Sequence, residues 1–335
     1  MAEEKLFKSY DNLLERLSAT KGIITTDGDK ENLVRMGYFN LVNGYKSPFV
    51  TTKNEAGNHI FFAGTTLRQI VHLKEFDNEL SDVLIKYLRR IEEEIRSTFM
   101  HQFDEYNLAA GKKWDERDAY DLYGSNGARV DKLLEEIKEE LKEANNKLNY
   151  VKHYSDSGRE IPSWIMAKCI KFHSFIDLIK YAPRTVKENF AKIYNIEIFE
   201  IGKSGRQYYK PTILHTSLNT IRLVRNASAH NERLYEKSDT RHNTRTLTQY
   251  HNKLGGRYRN DRDIKLIDVL IFMKYFLLAK EYTKMITIVH DLLANLENKI
   301  LTIAYEKVEN KMGIRKRDDL LKLLENQNIQ NYQDL

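Results

Sequence analysis

The chain has 335 residues, with 41% hydrophobic and 30% charged residues and a formal net charge of +6. This length corresponds to one large or two ordinary domains, and the modest basic excess permits binding to a polyanion without requiring it. The single cysteine, Cys169, excludes an intrachain disulfide, and the most apolar stretch, residues 266–279, is too short to span a bilayer. Because the N-terminus does not read as a signal peptide, we expect a cytoplasmic protein that stays out of the membrane.

The first 64 residues are predicted to form a small helical region with one β-hairpin. Leucine and tyrosine recur at helical spacing over residues 4–19, and a second short helix is expected after Asp27. Residues 37–49 are aromatic and contain glycine. Two short apolar runs predict a hairpin within residues 49–62.

A long helix is predicted to follow. Thr65 or Thr66 can cap its N-terminus, and apolar residues then recur at three- and four-residue steps as far as Phe99. Such a helix would reach about 60 Å at 1.5 Å per residue. We expect a kink or a break within it.

The remaining chain also favours helices. Residues 111–128 are polar and are predicted to form a loop, whereas residues 130–151 carry one apolar stripe between Glu and Lys. That stripe is typical of a protruding helical hairpin or a coiled-coil arm, and also of a solvated surface helix on the bundle. We therefore expect a mainly all-α chain, with a helical bundle over residues 65–262 and a C-terminal helical region over residues 263–335 that packs on it. The other predicted helices are at residues 162–181, 184–195, 211–230 and 263–294.

The segment with the clearest chemistry is residues 225–230, which read Arg-Asn-Ala-Ser-Ala-His. On a helix, Asn226 and His230 lie one turn apart on nearly the same face, and the long side chain of Arg225 can reach the same point. Guanidinium binds phosphate oxygens, imidazole transfers protons near neutral pH, and the amide can orient either group. We assign these three residues as candidate catalytic residues, with no metal and no cofactor.

This set of side chains suits the cleavage of RNA without a metal. That reaction needs a base for the 2′-hydroxyl proton, an acid for the leaving 5′-oxygen and a cation for the charged phosphorane. One histidine cannot easily be both acid and base, so two facing copies of the motif would make a better site. A second Arg-x4-His pattern at residues 96–101 lacks the adjacent Asn and interrupts an apolar stripe, which favours a structural helix face.

Several segments together are similar to a known family. They occur in the family's order, and the most specific is the last, because Arg-Asn-x3-His is followed there by Arg-Leu. They resemble the bacterial abortive-infection proteins of the Abi-D/Abi-F type, within the HEPN superfamily. One departure is His173, where the family commonly has glycine; it can be a second histidine of the site or a surface residue, and we favour the surface position. The matching segments are Gly37–Tyr45 with Pro48-Phe49, Phe61–Thr66, Phe76–Leu80, Ile91-Glu92 with Arg96, Pro162–Trp164 and Leu223–Leu234.

The resemblance implies a fold and an activity. It implies a HEPN-type helical bundle and a metal-independent endoribonuclease that leaves 2′,3′-cyclic phosphate ends. Such a protein acts as a toxin or antiphage effector, dimerises so that two motifs form one site, and is controlled in some cases by a small partner RNA. Carried over residue by residue, the implied site is Arg225, Asn226 and His230.

Two segments are candidate RNA contacts. The first, residues 241–262, interleaves basic and aromatic side chains, which suits phosphates and unpaired bases; an ordinary solvated loop is the alternative. The second contains Tyr45 and Lys46, although its aromatic residues also fit a core role. The candidates in the first segment are Arg241, Arg245, Tyr250, Lys253, Arg257, Tyr258, Arg259 and Arg262.

Two other functions remain open from the sequence. The chain can be a non-catalytic RNA-binding protein whose Arg225 and His230 only hold RNA or stabilise the bundle. It can also be a structural helical protein that binds a partner through residues 130–151. Copurification of nucleic acid would distinguish these two alternatives.

Overall fold

The computed structural model describes residues 7–55, 57–194, 199–201, 207–209, 211–240 and 263–325. Helices dominate, and they are accompanied by two antiparallel hairpins of two strands each. This architecture confirms the predicted mainly all-α fold.

The N-terminal region contains the predicted hairpin. Strand β1 (Val50–Lys53) pairs with β2 (His59–Phe61), and Val50 lies opposite Phe61. The prediction of a hairpin within residues 49–62 is therefore confirmed. The other elements of this region are α1 (Tyr10–Glu15), a π-helical turn (Arg16–Thr20), α2 (Asp29–Met36), a second π-helical turn (Phe39–Asn43) and a 3₁₀ turn (Ser47–Phe49).

The longest element is α3 (Leu67–Ala109), a continuous helix of 43 residues. Thr66 caps it, because the Thr66 side chain accepts the Gln69 amide while the Gln69 side chain accepts the Thr66 amide, each at 3.1 Å. The expectation of a break is wrong, since α3 is uninterrupted from Leu67 to Ala109. The helix contains neither glycine nor proline, and its apolar stripe stays buried as far as Phe103.

After α3, the regular elements of the described chain are helices, a 3₁₀ turn (Arg117–Ala119) and one hairpin. Helices α6, α8, α9 and α11 all pack against α3, which is therefore the centre of the bundle. The sequence does not predict the second hairpin, in which both strands have only three residues. The elements are α4 (Asn126–Asn145), α5 (Asn149–Asp156), α6 (Ser163–Cys169), α7 (Phe172–Tyr181), α8 (Arg184–Ile193), β3 (Phe199–Ile201), β4 (Gln207–Tyr209), α9 (Pro211–Ala229), α10 (Leu266–Phe276), α11 (Ala279–Glu297), α12 (Thr302–Met312) and α13 (Asp319–Lys322).

Helix α4 lies on the bundle and does not protrude from it. Its apolar stripe, which includes Val130 and Ile137, is buried, and the helix packs against α7. The buried Glu140 carboxylate accepts the Lys171 amide at 2.7 Å and the Ser174 hydroxyl at 2.9 Å. The predicted protruding arm over residues 130–151 is therefore wrong, because the stripe that would form a coiled-coil seam is already used within the chain.

Two of the predicted helices are each divided by a short extended segment. The signals over residues 162–181 belong to α6 and α7, and the apolar stretch 263–294 belongs to α10 and α11. The break residues Ile170 and Leu277 are extended, and neither is glycine or proline. Within the ranges that the structure describes, no helix combines the length and apolar character needed to cross a bilayer.

Candidate active site

His230 lies at the C-terminal end of α9. The helix ends at Ala229, and Asn231 has a left-handed backbone with φ of 52°. The Glu232 amide donates to the Ala227 carbonyl at 3.0 Å, which closes the helix end in a Schellman pattern with asparagine at the usual glycine position. The His230 side chain is exposed at this turn.

Arg225 and Asn226 contact each other and a carboxylate of α3. Arg225 Nη1 donates to Asn226 Oδ1 at 3.3 Å, and Arg225 Nε donates to Glu92 Oε2 at 2.9 Å. Arg96 Nη2 donates to Glu92 Oε1 at 2.8 Å, so one carboxylate holds two guanidinium groups. Because a guanidinium has five N–H donors, these contacts leave Arg225 with donors that can bind a phosphate.

Arg96 supports this network from the interior. Its guanidinium lies 5.4 Å from the ring centre of Phe172 and 4.9 Å from that of Phe175, and it donates to the Ala167 carbonyl. Burial lowers the pKa of Arg96, and the adjacent carboxylate opposes that shift. The second Arg-x4-His pattern thus uses its arginine to join α3 to α6, while His101 is exposed.

A buried carboxylate anchors the loop that follows His230. Asp77 of α3, which is 2% exposed, accepts the Leu234 amide at 3.0 Å, the Tyr235 amide at 2.8 Å and the Tyr45 hydroxyl at 2.9 Å. Burial raises the pKa of Asp77, and the three donors oppose the shift. The network ties the aromatic segment of residues 37–45 to α3 and to the loop, and so fixes the path of the chain beyond His230.

His230 lines a cleft of about 1100 Å³, which we call the histidine cleft. The exposed Phe39 lies on its border, and cationic and amide side chains outnumber its carboxylates. Such a lining suits a polyanion with hydrogen-bonding bases. The cationic and amide residues are Arg35, Lys74, Arg233, Lys237, Asn40, Asn43, Asn78 and Asn231, and the carboxylates are Asp82, Glu232 and Glu236.

Arg225 lines a different cleft of about 440 Å³, which we call the arginine cleft. Glu92, Arg96 and Trp164 line it as well. Asn226 lines neither cleft but contacts Arg225. Two of the three candidate residues are therefore in contact, whereas His230 lines a separate cleft of the same chain. Among the described residues, no three His, Cys, Asp or Glu side chains are grouped to hold a metal ion.

The candidate RNA contacts have different outcomes. Tyr45 is 3% exposed and donates to Asp77, so its predicted RNA contact is corrected to the core role that was the alternative. Lys46 is half-buried, and its Nζ donates to Asn43 Oδ1 at 3.0 Å. His173 is exposed. The remaining candidates lie outside the described residues; they are Arg241, Arg245, Tyr250, Lys253, Arg257, Tyr258, Arg259 and Arg262.

Three residues at the site had no role assigned from the sequence. Glu92 and Asp77 interrupt the buried side of α3, and a carboxylate in such a position signals a buried partner. Their partners Arg225 and Tyr235 lie more than 130 residues away in sequence and are visible only in the fold. Trp164 gave no sequence signal beyond its place in a matching segment.

Comparison with known proteins connects more than half of the chain to one family. The family model described as Abi-like protein matches residues 31–236, from α2 to the loop after α9. The matched range contains both clefts' principal residues, Arg225 and His230. No curated protein and no solved structure matches the chain.

Proposed function

The chain belongs to the Abi-like protein family, and on this premise we propose that it is a metal-independent HEPN endoribonuclease that acts as an abortive-infection toxin. Family membership itself suggests a role in abortive infection. The observation that carries the enzymatic proposal is the Glu92–Arg225–Asn226 cluster, with an exposed His230 at the end of the same helix.

These side chains match the steps of RNA cleavage. A base takes the 2′-hydroxyl proton, the 2′-oxygen bonds to phosphorus, the bond from phosphorus to the 5′-oxygen breaks, and an acid protonates that oxygen. His230 transfers protons, and Arg225 stabilises the negative charge on the phosphate oxygens. Asn226 and Glu92 orient Arg225. The products carry a 2′,3′-cyclic phosphate and a 5′-hydroxyl.

The separate clefts favour a site shared by two chains. Within one chain, Arg225 and His230 line different clefts, and a single histidine supplies only one proton-transfer group. A homodimer that brings two motifs together provides both an acid and a base. We therefore place the complete site at an interface between two copies of the chain.

RNA plays two roles in this proposal, as the substrate and as a small inhibitory partner. The histidine cleft supplies cations and amides beside His230. The basic stretch of residues 241–262 follows the motif directly in sequence, and its arginines and tyrosines stay proposed RNA contacts. A small non-coding RNA bound to these surfaces would block access of the substrate to the site.

The test is cleavage of RNA by the purified protein in EDTA. We expect His230→Ala to lower the cleavage rate by about 10²–10⁴-fold, because that is the usual contribution of a general acid or base. His101→Ala is the matched control, since His101 is an exposed histidine in the other Arg-x4-His pattern, and it retains activity. Unchanged cleavage by His230→Ala contradicts the assignment.

A non-catalytic RNA-binding function is the second candidate. The observation that favours it is the ion pair between Arg225 and Glu92, which gives Arg225 a structural partner without any substrate. In that case, RNA copurifies with the protein and remains intact after any bound inhibitor is removed. Turnover of added RNA excludes this candidate.

A further inference from the structure

Trp164 is an exposed tryptophan beside Arg225. It lies in the first turn of α6, is 63% exposed and lines the arginine cleft. Tryptophan is strongly buried on average, so this degree of exposure beside a candidate phosphate-binding group indicates a surface that binds a partner. Its neighbours Ser163 and Ala167 are buried, which shows that α6 packs through another face.

The backbone that carries Trp164 is held at both ends of the helix. The Ser163 hydroxyl donates to the Asp104 carboxylate of α3, and the Arg96 guanidinium donates to the Ala167 carbonyl. These contacts fix α6 against α3. The indole is therefore presented from a rigid element, which reduces the entropy lost when a ligand stacks on it.

The charges around Trp164 favour an anionic partner. Four cationic side chains line the arginine cleft against two carboxylates, so the lining is cationic on balance. An aromatic ring among cations is the combination that binds unpaired nucleic acid, since the cations hold phosphates and the ring stacks on a base. The cations are Arg89, Arg96, Lys168 and Arg225.

We propose that Trp164 stacks on an unpaired nucleobase of the RNA substrate, next to the phosphate that Arg225 binds. This inference rests on the proposed ribonuclease function and adds a substrate class, single-stranded RNA. A duplex keeps its bases stacked on each other and cannot offer one to Trp164. Trp164 is thus a specificity-determining residue for unpaired segments.

The test measures RNA affinity without turnover. All variants are made in the His230→Ala chain and titrated, in EDTA, against a fluorescein-labelled oligouridylate of about 12 nucleotides, within the site sizes of single-strand binding proteins. We expect Trp164→Ala to weaken binding by about 10- to 100-fold and Trp164→Phe to weaken it less. Binding to an RNA duplex changes by less than about twofold, since phosphate contacts dominate there.

Two controls separate stacking from other effects. Tyr123→Ala removes another aromatic ring, 88% exposed and outside both clefts, and leaves the affinity unchanged. The oligouridylate quenches tryptophan fluorescence in the parent, and this quenching disappears in Trp164→Phe, which retains Trp114.

The outcomes distinguish this inference from the function on which it rests. If the parent binds the oligouridylate and Trp164→Ala binds it equally well, the stacking role is wrong while the ribonuclease assignment stands. If Trp164→Ala dissociates a dimer in sedimentation, Trp164 belongs to a protein interface and the inference is overturned. Loss of affinity in a protein that never cleaves RNA supports stacking and removes the ribonuclease assignment. A parent that binds no RNA contradicts both.

Discussion

Asp77 and Tyr45 determine where the chain runs after His230, although both residues lie far from the Arg-x4-His motif in sequence. Two backbone amides and one hydroxyl converge on the Asp77 carboxylate, and the rings of Tyr45 and Tyr235 stack with their centres 6.2 Å apart. Burial raises the pKa of Tyr45, so its hydroxyl stays protonated and donates at neutral pH. The path of the loop after His230 therefore depends on Asp77 and Tyr45, to which we assign no part in proton transfer or phosphate binding.

Tyr45→Phe tests this anchor. The change keeps the ring but removes one donor to a buried carboxylate, and we expect the free energy of unfolding to fall by about 1–3 kcal/mol. The measurement is the midpoint of urea unfolding at unchanged slope. Tyr123→Phe, at an exposed tyrosine, is the control and leaves the midpoint in place. A Tyr45→Phe chain as stable as the parent contradicts the anchoring role.

Helix positions follow from the sequence better than helix ends do. Apolar spacing predicts α3, α6 and α9, and threonine chemistry predicts a cap at Thr65 or Thr66, of which the structure uses Thr66. The break between α10 and α11 falls on leucines, which suit a buried helix and a buried extended segment equally, so no local signal marks it. The same spacing in α4 is compatible with an arm or a packed helix, and only its contact with α7 decides between them.

Glu140 holds α4 against the start of α7. Its carboxylate, from α4, accepts the amide and hydroxyl at the start of α7, so it acts as a cap supplied by another helix. Glu140→Ala should lower the free energy of unfolding by about 1–3 kcal/mol, because it leaves buried donors without an acceptor. Glu139→Ala, at an exposed neighbour, should change it by less than about 0.5 kcal/mol. Equal stability of the two variants contradicts the capping role.

The whole molecule assembles the candidate site from distant parts of the chain. The sequence alone predicts Arg225 and His230 as site residues, because both lie within six consecutive residues. The Glu92–Arg225 and Asp77–Leu234 contacts join residues 133 and 157 positions apart, and no sequence pattern encodes which buried acid meets which donor. The fold also separates Arg225 and His230 between two clefts, which underlies the proposal of a site shared by two chains.

We propose that this chain cleaves RNA by attack of the 2′-oxygen without a metal. The most direct measurement is analysis of both product ends after the purified protein acts on a labelled RNA in EDTA. We expect 2′,3′-cyclic phosphate and 5′-hydroxyl ends, because the 5′-oxygen is the leaving group. Products with 3′-hydroxyl and 5′-phosphate ends, or RNA left intact once bound RNA has been removed from the protein, would contradict it.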